Sequence, residues 1–150
     1  WQLKEARLIL EQMLAVGCKP NLRTANTLLR GCKRCGEVDT ASSVYKQLRK
    51  SWGLEPDAAT YEYLVALWCQ DLRTVAVRRL LRQAAAGPNA PEPRVLAHLW
   101  ELVAEASLLR GEPISRARGA MRRAKRLHAA SAGSPAVEEP SSKASDSSAL

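Results

Sequence analysis

The sequence predicts an all-α chain: a short α-solenoid of about seven helices stacked as antiparallel pairs, followed by a disordered tail. Three observations lead there. Apolar residues recur at helical spacing, with no stretch of strand alternation. The element Gly17-Cys18-Lys19-Pro20-Asn21 returns as Gly53-Leu54-Glu55-Pro56-Asp57, and the same offset of about 36 residues relates Thr24 to Thr60 and Leu28 to Leu64. After Ala130 the chain turns to Ser, Ala, Pro and Glu, a composition that buries too little surface to offset its ordering entropy.

Each element follows in order. Leu3, Ala6, Leu10 and Met13 form the first apolar stripe, and Gly17 to Asn21 ends it. Ala25, Leu28, Leu29 and Cys32 form the next; Gly36 suits the left-handed residue that closes it. Asp39 falls in the first turn of a helix carrying Val38, Ala41, Tyr45 and Leu48. Asn21 and Asp57 stand where N-caps belong, before each apolar series restarts. Tyr61, Leu64, Val65 and Trp68, then Val75, Leu80, Leu81 and Ala84, make a second pair that ends at Gly87-Pro88-Asn89-Ala90-Pro91. Val95, Leu96, Leu99, Trp100, Leu102 and Val103 start a third pair, and Gly111 separates them from a basic helix expected from about Pro113 to His128. The first helix has no partner before it, so the chain reads as part of a longer array with an apolar edge at residues 1–16.

Composition narrows the function. A chain of 150 residues, 46% hydrophobic and 25% charged, is one foldable domain. No run of about 18 apolar residues is present to cross a bilayer, and Trp1 opens no targeting pattern. Net charge is +8, and residues 129–150 hold Glu138, Glu139 and Asp146 against Lys143, so the positive surplus sits in residues 1–128. That favours anionic partners, nucleic acid above all. The four cysteines lie in helical patterns, as expected of reduced thiols; Cys32 and Cys35 at i, i+3 read as a buried pair, since no second paired spacing supplies a zinc site. His98 and His128 fit no nucleophilic arrangement, and no carboxylate cluster is spaced to hold a divalent ion, so neither an enzyme, a cofactor nor a small-molecule substrate is expected.

Three stretches carry a resemblance. Leu22-Arg23-Thr24-Ala25-Asn26-Thr27-Leu28-Leu29-Arg30-Gly31 is followed by Cys35-Gly36-Glu37-Val38-Asp39-Thr40-Ala41 and then by Gly53 to Asp57. Together they resemble the pentatricopeptide repeat family of RNA-binding α-solenoids, with Ala25 where the family usually has Tyr and Glu62 where Asn, Thr or Ser is usual. The tetratricopeptide signature is missing. The implied division is a half repeat at 1–21, a complete repeat at 22–57, a degenerate repeat at 58–90, a helical pair at 91–128 and a tail at 129–150.

The resemblance implies single-stranded RNA read at one base per repeat. Asn26 would face a base, Asp57 would orient it toward uracil, Arg23 would stack on the base, and Asn21 would close the truncated preceding repeat. It also implies an organelle, mitochondrion or chloroplast, with ribonucleoprotein partners. Capping alone accounts equally for Asn21 and Asp57. The basic helix offers Arg116, Arg122, Arg123 and Arg126 either as phosphate contacts or as a solvated face. A helical scaffold that holds protein instead of RNA is the alternative.

Overall fold

The computed structural model describes residues 3–132, and every described element is helical. In chain order they are α1 (Leu3–Ala15), α2 (Leu22–Cys35), α3 (Val38–Lys50), α4 (Ala58–Gln70), α5 (Thr74–Ala86), α6 (Pro93–Leu109) and α7 (Ile114–Ala132). Local chemistry sets most of these ends. Asn21 accepts the Thr24 amide at 2.9 Å to start α2, and Asp57 forms a reciprocal capping box with Thr60 to start α4. Gly36 closes α2 in the left-handed region at φ 72°, its amide donating back to the Cys32 carbonyl.

Helices pair antiparallel as α2 with α3, α4 with α5, and α6 with α7. The first members, α2, α4 and α6, also pack side by side, whereas among the described residues α3 makes no backbone contact with α5, nor α5 with α7. A row that touches on one side and fans out on the other is a curved stack, with α2, α4 and α6 along its inner face. Leu29, Leu48, Leu64, Leu81, Leu99 and Val103 are fully buried along the seam, each contributing about 1.5–3 kcal/mol by leaving water. Ala25, Ala41, Ala97 and Ala104 let neighbouring axes approach.

Two expectations need correction. The tail was expected from residue 129, but α7 continues through Ala129, Ala130 and Ser131 to Ala132, because Ala-rich sequence sustains a helix that large apolar residues no longer anchor. The remainder of the expected tail, 133–150, lies outside the described residues. Cys32 and Cys35 do not share a buried face: Cys32 is buried and Cys35 exposed.

Candidate nucleic-acid interface

Asn26 lies in the second turn of α2, and Asp57 is the residue before α4, so the packing of α2 on α4 brings them together across 31 positions of sequence. The Asn26 amide nitrogen donates to both carboxylate oxygens of Asp57, at 3.0 and 3.1 Å. Beside that contact, Asn26 Oδ1 accepts from the Thr60 hydroxyl at 2.7 Å. A carboxylate can only accept, so the nitrogen of Asn26 must face Asp57 and the oxygen must face Thr60. The amide is therefore fixed in one orientation. Thr60 is fully buried, while Asn26 and Asp57 are half-buried and keep an open side.

Burial on its own would raise the Asp57 pKa, but donation from the Thr60 amide and from Asn26, with the Thr60 hydroxyl in reach, holds it below its ordinary value. Asp57 is a firm acceptor at neutral pH. With one N–H given to Asp57 and one lone pair to Thr60, Asn26 keeps a second N–H and a second lone pair, the kind of groups that can hydrogen-bond a nucleobase. Sequence reasoning named Asn26 and Asp57 as candidates but not Thr60, which the structure places against both. Its signal was the Asp-x-x-Thr spacing of a capping box, repeated less completely by Asn21 and Thr24.

Arg23 is exposed one turn before Asn26, and among the described residues its side chain has no hydrogen-bond or ion-pair partner. Asn21 is exposed and its Oδ1 accepts from both the amide and the hydroxyl of Thr24. Lys33 sits two turns beyond Asn26 on the same face of α2, at the rim of a trough of about 420 Å³ between α2, α4 and α6. Glu62, Gln70, His98 and Glu105 also line that trough.

The four basic candidates on α7 divide. Arg122 and Arg126 are exposed without a partner among the described residues. Arg123 lies over the Trp100 ring, 5.1 Å from its centroid, and Arg116 approaches Glu112 at 3.9 Å. Glu112, just before α7, is the hub of a small network: Arg78 and Thr74 both donate to it, and Arg110 stands 3.8 Å away. Burial works against its charge, yet the Arg78 and Thr74 hydrogen bonds hold its pKa below the ordinary carboxylate value.

Burial pushes the Cys32 thiol up to about 11 and the Cys69 thiol to about 12, so both are protonated and poorly suited to bind metal or attack a substrate. No group of three or more His, Cys, Asp or Glu gathers at a metal-binding distance among the described residues. None of the described helices is long and apolar enough to cross a membrane.

Residues 8–70 match the pentatricopeptide repeat domain. A pentatricopeptide repeat-containing protein of Arabidopsis thaliana, named as mitochondrial, is 28% identical over 81 residues, covering 54% of this chain and 18% of its own length. The small ribosomal subunit protein mS39 of Mus musculus is 33% identical over 76 residues, 49% of this chain and 11% of its own. A second Arabidopsis pentatricopeptide repeat-containing protein is 33% identical over 66 residues, 43% and 10% respectively. The chain thus spans less than a fifth of these curated relatives.

Proposed function

We propose that this chain, whose residues 8–70 match the pentatricopeptide repeat domain, binds single-stranded RNA in an organelle, reading one base per repeat and taking part in RNA processing, stabilisation or translation. The mitochondrial name of one Arabidopsis relative favours the mitochondrion, and the likeness to a ribosomal subunit protein favours a ribonucleoprotein setting. The observation that carries the reading is the half-buried Asn26 amide, held in one orientation by Asp57 and Thr60 on the α2–α4 seam. In this reading 22–57 is the complete repeat, Asn26 reads uracil, Arg23 stacks on the base, and Asn21 closes the repeat before it. Arg116, Arg122, Arg123 and Arg126 add phosphate contacts.

Oligonucleotides that differ at a single base test it. Asn26→Ala lowers affinity for the uracil-containing strand by about 1 kcal/mol, one hydrogen bond, and leaves the other three bases nearly unchanged. Equal loss on all four bases sinks the assignment.

A second reading has its own observation: Glu62 and Glu105 line the trough, and carboxylates there repel phosphates. A peptide- or subunit-binding scaffold tolerates those acids. Wild-type protein that binds none of the four oligonucleotides, at low salt, selects this second reading.

A further inference from the structure

The outer side of the stack carries the opposite charge from the trough. Because α5 and α7 make no backbone contact among the described residues, they leave an open groove of about 510 Å³ with α6 as its floor. Arg78 and Arg82 enter it from α5, Arg116, Gly119 and Arg123 from α7, and Trp100 from α6. The spacings are helical: i, i+4 on α5 and i, i+3, i+7 on α7. Trp100 is half a turn away from His98, Leu102 and Glu105 around α6, so groove and trough lie on opposite sides of that helix.

The groove is built, not merely charged. Glu112 and the Ser107 hydroxyl fix Arg78, and Trp100 fixes Arg123. Arg82 has no hydrogen-bond or ion-pair partner among the described residues. Gly119 keeps the α7 wall open, since a Cβ there would meet nothing within 4 Å. Neither α5 nor α7 contains an Asp or Glu, and together they hold more positive charge than the chain's net +8.

We propose that this outer groove is a second RNA site that takes the phosphodiester backbone without regard to base. Forked guanidinium groups match phosphate oxygens two at a time. An acidic protein segment is the lesser fit: protein interfaces need an apolar centre, and here only Val75 offers exposed apolar surface while Trp100 is 5% exposed. In the trough Lys33 is outnumbered by Glu62 and Glu105, so the stronger electrostatic hold on a strand falls to the outer face. The proposal rests on the RNA reading for its ligand but not on Asn26.

The test measures binding of a uridine 20-mer to the full chain by fluorescence anisotropy over a salt series. Arg82→Gln should reduce the slope of log affinity against log salt by about 0.7, one phosphate contact on a single strand. Gly119→Leu leaves charge unchanged, suits a helix interior and fills the groove; about tenfold weaker binding is expected, with circular dichroism confirming an intact fold. Asn26→Ala should leave the salt slope alone. If both groove variants bind as wild type with the same slope, the proposal is wrong, whatever Asn26→Ala does. Groove variants that lose affinity while Asn26→Ala shows no base preference support the groove and sink the base-reading assignment instead. A 20-residue polyglutamate peptide that binds more tightly than the RNA, and is lost in Gly119→Leu, overturns the proposal in favour of an acidic protein partner.

Discussion

Thr60 has one hydroxyl proton and two acceptors in reach, Asn26 Oδ1 at 2.7 Å and Asp57 Oδ1 at 2.8 Å. Asp57 Oδ1 already takes the Thr60 amide, so the proton is best used on Asn26, where it opposes rotation of the amide. Thr60→Val keeps the shape and removes that proton. It should cost about 1–2 kcal/mol of stability, read by urea unfolding, and under the proposed base reading it should also narrow the uracil-over-cytosine preference in paired oligonucleotide titrations. Glu112 carries a larger load, being a buried carboxylate with Arg78, itself mostly buried, as its main partner. Glu112→Ala leaves that guanidinium uncompensated and should cost about 3 kcal/mol in urea. Its folded-state pKa lies below the unfolded one, so its stabilisation is complete above the ordinary value of 4.5 and fades as pH falls below it. Glu112→Gln should flatten that acid arm of the stability curve. Asn26 and Asp57 were legible because family pattern and capping chemistry mark both. Glu112 was not, since its partner Arg78 is 34 positions away and nothing local links them.

Among the elements, helix starts and stops were readable wherever a side chain or a glycine sets them locally. Gly36 is such a stop. Its φ of 72° is a conformation L side chains rarely adopt, and a Cβ there would touch nothing within 4 Å, so backbone strain alone decides a substitution. Gly36→Ala should cost about 1 kcal/mol and lower the urea midpoint without changing its slope. The turn from α4 to α5 hides its stop: Leu72 takes the left-handed conformation at φ 56°, where four of the other turns use glycine. Its side chain packs against the core, and tertiary burial there outweighs local preference. The far end of α7 was misread for the converse reason, because apolar periodicity fades before helix propensity does.

For the whole molecule, linear stacking makes stability uneven. Among the described residues α1 packs on α2 alone and buries only Leu3 and Leu10, leaving Leu8, Ile9 and Leu14, with Val16 just beyond it, exposed; the apolar edge expected at that end is present. α6 packs on α4, α5 and α7 and is buried on most sides. Amide hydrogen exchange should therefore be fastest through α1 and slowest at the centre of α6, with α2 to α5 between them. Uniform protection would contradict the stacked arrangement. Sequence periodicity gave away the number and order of the helices, but not the separation of charge into two faces, which depends on how far α5 and α7 splay. The Asn26 clasp has an engineering corollary, because its two holders belong to the following hairpin. Transplanting α2 and α3 by themselves into another array would deliver an amide stripped of its fixtures; the smallest portable cassette runs from Asn21 through Thr60, overlapping its successor by one turn.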